Sequence, residues 1–215
     1  MGEFKKATVA TKQSLKFHEA LADEKGISAC NNNLGLFYTE FGKYDKALYY
    51  YNNSLKIDLG KNDEPGVATT LSNIGMVYQL LGNYSKSLEY YQKSFELEKR
   101  LKNDEGIGQS LINIGALYED NKLYEKAIKA YEQALKIFVK DTALYYIAHC
   151  YNNIGAALLD FGEIEHARTY FQKALALRKQ FSDNAGFATT LRNLSHYYEL
   201  KNEEDSALDC FSNPF

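Results

Sequence analysis

Cysteine is scarce in this sequence and poorly placed for structural chemistry. Cys30, Cys150 and Cys210 are an odd number with no Cys-x-x-Cys pairing, which argues against a disulfide framework and against a thiolate zinc site. No apolar run approaches the ~20 residues that span a bilayer, and the start Met1-Gly2-Glu3-Phe4-Lys5-Lys6 lacks the apolar core of a signal peptide. A cytoplasmic protein without membrane insertion is therefore expected. Lysine and arginine never gather into a stripe: the net charge is -3 and both signs are mixed along every segment, so nucleic acid is not an expected partner. His18, His149, His166 and His196 have no partner at metal or triad spacing, and no Gly-rich phosphate loop follows a strand. No catalytic site, cofactor or metal is expected.

What the sequence does have is a period. Asn73-Ile74-Gly75-Met76-Val77-Tyr78 returns at 40-residue spacing as Asn33-Leu34-Gly35-Leu36-Phe37-Tyr38, Asn113-Ile114-Gly115-Ala116-Leu117-Tyr118, Asn153-Ile154-Gly155-Ala156-Ala157-Leu158 and Asn193-Leu194-Ser195-His196-Tyr197-Tyr198. A fixed period of this size means stacked copies of one supersecondary unit. Cys30 and Cys150 hold one position of two copies, which reads as a small core residue.

Each copy reads as two helices. Ile74, Gly75 and Tyr78 share one helical face, and Tyr84, Ser87, Leu88, Tyr91, Ser94 and Phe95 recur at steps of three and four residues to give a second amphipathic stripe. Gly42, Gly82 and Gly162 stand between the two halves, where a helix ends without steric cost in the left-handed conformation; Lys122 and Asn202 replace them in the other copies. Acidic stretches such as Asp23-Glu24-Lys25-Gly26 and Asp63-Glu64-Pro65-Gly66 separate the copies and read as helix starts. Glycine inside the first helix costs about 1 kcal/mol against alanine, and its place on the apolar face implies that another backbone comes too close for a side chain. One boundary departs from the rest: Tyr146 stands where the others have Gly26, Gly66, Gly106 and Gly186. Either the helix starts earlier there and its tyrosines pack on the preceding hairpin, or the aromatic group contacts a ligand.

The run Leu-Gly-x-x-Tyr, followed by Ala, Tyr/Phe and Ala nine, thirteen and sixteen residues on, resembles the tetratricopeptide repeat (TPR), and five in-register copies cover nearly the whole chain. With a 40-residue unit it looks most like the longer TPRs of the LGN/Pins adaptors, the kinesin light chains and bacterial sensory proteins. The resemblance implies an all-α, right-handed superhelical solenoid of antiparallel helical hairpins. We read residues 5–215 as a single array: a partial repeat at 5–23, repeats at 28–65, 66–105, 106–145 and 146–185, and a truncated repeat at 186–215, with residues 1–4 a remnant foreign to the fold. The irregular ends suggest a fragment of a longer protein.

By resemblance to TPR proteins, the inner-facing positions of the first helices hold Asn33, Asn73, Asn113, Asn153 and Asn193. A carboxamide donates and accepts at once, so such a ladder can hold an extended peptide, or each Asn can bond a neighbouring helix instead. Variable neighbours would set specificity, among them Asn152, Arg192 and Met76, with Asp120 and Asp160 at an acidic edge. Chaperone-binding TPRs grip acidic tails with Lys and Arg at positions that here hold Ala29, Thr69, Gln109 and His149, which points to a neutral or basic peptide. The expected function is a non-catalytic interaction module or scaffold; the alternatives are a ligand-sensing segment of a signalling protein, and self-association through the exposed terminal hairpins. The end Asn213-Pro214-Phe215 also resembles the peptide read by EH domains of endocytic adaptors.

Overall fold

The computed structural model describes residues 2–203. Cys210, the expected second helix of the last repeat and the Asn213-Pro214-Phe215 end lie outside the described residues. Among the described residues there are ten helices and no strand: α1 (Gly2–Ala20), α2 (Glu24–Glu40), α3 (Tyr44–Lys61), α4 (Glu64–Leu80), α5 (Tyr84–Leu101), α6 (Asp104–Asp120), α7 (Tyr124–Lys140), α8 (Leu144–Phe161), α9 (Ile164–Gln180) and α10 (Asn184–Leu200). They divide at Asn103/Asp104 into two compact units. In the first, α1 to α5 pack each on the next, and α2 also touches α4. In the second, α6 to α10 do the same, and α8 touches both α6 and α10. The even-numbered first helices of the repeats thus meet one another within each unit.

The helices are of nearly equal length because the turns between them are identical. A residue with positive φ recurs every 20 positions: Ala22, Gly42, Asn62, Gly82, Lys102, Lys122, Thr142, Gly162, Ser182 and Asn202. At each turn the next residue's N–H reaches back to the carbonyl five residues earlier, as Asp63 does to Asp58, Leu123 to Tyr118 and Ala143 to Phe138. This is the Schellman closure, which satisfies the carbonyls a helix end leaves free. Lys122 and Asn202 therefore take the conformation of the glycines they replace, with φ of 59° and 57°. The turns between repeats have the same form as those within them.

At the helix starts, Asp23, Asp63 and Asp183 accept from the backbone N–H of Gly26, Gly66 and Gly186 as N-caps, and Pro65 sits in the first turn of α4. The first helices begin at Glu24, Glu64, Asp104, Leu144 and Asn184, a strict 40-residue register. Hence α8 does not start early, contrary to one expectation: the turn closed on Phe138 fixes its origin. Tyr146 does pack on the preceding hairpin, its ring stacked on Phe138 at 4.5 Å between centroids and its hydroxyl donating to Glu105 while accepting from Gln109. α1 runs through Gly2–Phe4, the stretch read as a remnant.

The glycines of the first helices also require a correction. A Cβ on Gly35, Gly75, Gly115 or Gly155 would lie 2.5–2.7 Å from the ring of Tyr51, Tyr91, Tyr131 or Phe171. What comes too close is an aromatic ring of the second helix in the same hairpin, 16 residues on, and not a backbone. These rings are almost fully buried and anchor the cores. In the first unit Tyr51 packs with Tyr38, Ala47, Ile74 and Val77; in the second, Tyr131 packs with Ala127, Ile154 and Ala157, and Phe171 with Leu159, Ala167, Leu194 and Tyr197. Fully burying one such side chain contributes roughly 1.5–3 kcal/mol. Cys30 and Cys150 are buried as expected, and burial pushes the Cys150 thiol up to about 12.

Candidate functional site

Two members of the predicted Asn ladder, Asn73 and Asn193, make cross-helix contacts. On α4, Asn73 donates from Nδ2 to Asn32 Oδ1 of α2 at 3.0 Å, and on α10, Asn193 donates to Asn152 Oδ1 of α8 at 3.1 Å. Both pairs span 41 residues, so the Asn of one repeat meets the residue preceding the equivalent Asn one repeat back. Asn152, buried, is the most connected: it also accepts from Thr190 at 3.0 Å and donates to Asn153 at 3.3 Å. A carboxamide has two amide protons and two carbonyl lone pairs, so each pairing uses only part of the capacity of half-buried Asn73 and Asn193. Asn33 is exposed on α2 and Asn113 is half-buried on α6.

The other predicted residues are dispersed. Met76 is half-buried on α4. Arg192 is exposed beside Asn193, and both line a depression of about 390 Å³ with Ser195, His196 and Glu199. Asp120 and Asp160 are exposed at the ends of α6 and α8, where their charges, together with burial as the larger cause, raise the Glu119 carboxyl above the usual carboxylate range. His149 is held below the ordinary imidazole range by burial and by the Arg178 guanidinium, so it supplies no cation near neutral pH.

A register missed in the sequence lies beneath this face. Residues 18, 58, 98, 138 and 178 occupy one position near the ends of the second helices, and three of them are buried charges: Asp58, Glu98 and Arg178, 5%, 8% and 1% exposed. Arg178 donates to the Gly186 carbonyl and to Thr190 Oγ1, which links it through Asn152 to Asn193, and its Nε lies 3.7 Å from Asp183. Glu98 accepts from Asn103 Nδ2 at 2.7 Å. Asp58 accepts from Ser28 and, at longer range, from Ser54 and Thr70, at 3.4 and 3.5 Å. It lies in the wall of a hollow of about 730 Å³ between α2, the end of α3 and the start of α4, which Asn32 also lines. Only the 40-residue register of charged residues could have signalled this layer, because a charge on a surface helix ordinarily reads as solvated.

Among the described residues no group of three or more His, Cys, Asp or Glu could hold a metal ion, and no helix is long and apolar enough to cross a membrane. The arrangement offers hydrogen bonds and charge, the means of recognition.

No curated protein matches the sequence at a significant level. Among solved structures, BtubC (BKLC) of P. vanneervenii superposes with a TM-score of 0.81 at 20% identity, covering 96% of this chain and 87% of that one. A Rap protein complexed with Competence and Sporulation Factor gives 0.76 at 19%, covering 86% of this chain and 52% of that one. A signal transduction ATPase with numerous domains, bearing a tetratricopeptide repeat sensor, from Pyrococcus horikoshii gives 0.74 at 18%, covering 97% and 32%. At such identities these likenesses show the fold alone. The family model for the tetratricopeptide repeat matches residues 27–100, 66–140 and 146–212, and with the hairpins, the glycine–ring contacts and the Asn register it establishes that this chain belongs to the tetratricopeptide-repeat family.

Proposed function

We propose that the chain is a non-catalytic protein-interaction module that holds an extended peptide or a helix against the face lined by its first helices. The observation that carries this is the recurring carboxamide pair, Asn73 with Asn32 and Asn193 with Asn152, which fixes side chains that still have donors and acceptors to offer. An amide held in place by its neighbour loses little entropy when a peptide backbone binds it. Asn33, Asn113 and Asn153 extend the same register, with Met76, Arg192, Asp120 and Asp160 as the variable contacts. The acid-rich ends of α6 and α8 favour a neutral or basic partner over an acidic tail. A cytoplasmic setting is consistent with this role.

A second reading is a sensing segment of a larger signalling protein. It is favoured by the likeness to the Pyrococcus horikoshii protein, whose repeats are named a sensor, and to the Rap protein complexed with a factor. The test of the first reading is a peptide-array screen of the parent beside its Asn113→Ala/Asn153→Ala variant, with light scattering on the same samples. Peptides retained by the parent and lost by the folded variant support the groove. Equal binding by both, or no binding by a protein that self-associates, overturns it in favour of assembly through other surfaces.

A further inference from the structure

The hollow over Asp58 has the features of a site for one particular kind of side chain. Its floor is a carboxylate that is 5% exposed and that, among the described residues, accepts hydrogen bonds from the neutral hydroxyls of Ser28, Ser54 and Thr70. A buried charge is ordinarily paired, because its desolvation is otherwise uncompensated. Among the described residues Asp58 forms no ion pair, and Lys61 on the rim is taken by Glu24. The other acids of the wall are occupied as well, Asp23 by His18 and the Gly26 N–H, Asp63 by the Gly66 N–H. Gly66 leaves one side of the carboxylate uncovered, since a Cβ there would stand 3.0 Å from Asp58 Cγ. A second hollow, of about 800 Å³ between α1 and α3, has charges that are all exposed, Glu19, Glu24, Lys56 and Lys61, and so makes no comparable demand.

We propose that this hollow receives the cationic side chain of a bound peptide, a lysine ammonium or arginine guanidinium that pairs with Asp58. The inference rests on the peptide-binding reading above and specifies its ligand in the first unit. Asn32, which lines the hollow and accepts from Asn73, places the pocket beside a fixed carboxamide, so a backbone held by that pair has its side chain at the mouth. The hydroxyls around Asp58 orient its oxygens, and the start of α4 borders the same hollow. A long flexible stem suits the depth, with the charge at its tip.

The experiment is an NMR titration of the whole chain with acetyl-Ser-Ala-Lys-Ala-Ser-amide and with the same peptide carrying norleucine or glutamate in place of lysine. The lysine peptide is expected to shift the amides of Ser28, Gly66 and Thr70 and to bind at least tenfold more tightly than the norleucine peptide. Asp58→Asn abolishes that difference. Ala29→Lys, at an exposed position of the rim, abolishes it too by supplying an internal cation, and serves if Asp58→Asn fails to fold. No shift with the lysine peptide, equal affinity for norleucine, preference for glutamate, or selectivity that survives both substitutions overturns the proposal. Asn73→Ala separates the two levels: binding that depends on Asn73 but not on Asp58 defeats this inference alone, and binding that depends on neither defeats the groove reading with it.

Discussion

Tyr131 donates its hydroxyl to Glu119 Oε2 across 2.7 Å while its ring lies against Gly115, so one side chain of α7 both fills the space left by a missing Cβ and satisfies a half-buried carboxyl. The other repeats vary the same pair. Tyr91 donates to Gln79 at 2.8 Å; Phe171 faces Leu159 with no polar atom on either side; Tyr51 faces Thr39, whose hydroxyl is spent on the Gly35 carbonyl. Among the described residues the buried Tyr51 hydroxyl has no hydrogen-bond partner.

From this, Tyr51→Phe is expected to be neutral or to stabilise the protein by up to about 1 kcal/mol, since an unsatisfied buried hydroxyl costs more than it returns. Tyr131→Phe is expected to cost about 1–2 kcal/mol by stripping Glu119 of its donor. Urea midpoints of the two variants should move in opposite directions, or only the second should move; equal losses would contradict the pairing argument.

Glu119 also predicts a pH dependence. Burial, Asp160 and Asp120 raise its carboxyl, and the Tyr131 bond only partly opposes them. A carboxyl raised on folding contributes stability that is fully present below its unfolded value and is lost as the pH rises through the folded one. Glu119→Gln, which reproduces the Gln79–Tyr91 pair, should raise Tm over the parent at pH 7.5, by ~2–4 °C if about 1 kcal/mol is recovered, and by less at pH 4. Thermal melts of both proteins across that range would refute this if the gain were the same at each pH.

Gly115→Ala should destabilise by about 1–3 kcal/mol and Gly115→Leu by several, because the Tyr131 ring has nowhere to retreat. Adding Tyr131→Ala should recover part of the Gly115→Ala loss. A double-mutant cycle by chemical denaturation measures that coupling, and strict additivity would show that the ring is not what excludes the side chain.

The turns predict a pair of opposite effects. Thr142 is β-branched and held at φ 54°, so Thr142→Gly should stabilise by about 0.5–1 kcal/mol. Gly162, at φ 93°, should lose about 1 kcal/mol on substitution by alanine. Calorimetric Tm values that move the same way for both would contradict it.

The 40-residue register, the hairpins and the cap residues were legible because each is written in residue type: glycine where a ring approaches, aspartate where a helix begins. The ring behind Gly115 was on the page as the 16-residue step to Tyr131, but a step across two helices has no local period to reveal it. The turn at every twentieth residue was legible within the repeats, at Gly42, Gly82 and Gly162 and by register at Lys122 and Asn202, but not at Ala22, Lys102 or Ser182, where backbone hydrogen bonds impose the conformation and the side chain does not announce it. At the candidate site, the Asn positions could be read from the repeat, but not their mutual pairing with Asn32 and Asn152, which depends on how neighbouring helices are offset. Asp58, Glu98 and Arg178 stayed hidden because charge reads as surface, whereas here hydroxyls, an amide and a carbonyl make burial tolerable.

Because every turn closes in the same way, the chain can be cut and rejoined at any of them with sound local geometry. The parity of the cut then decides the outcome. Removal of one helix with its turn would leave every junction correct and yet set each later helix on the side meant for its partner, with rings facing rings and glycines facing water. Removal of two would pass almost unnoticed. The pair is therefore the indivisible quantum by which such a chain can grow or shrink, even though its joints are spaced by half that amount.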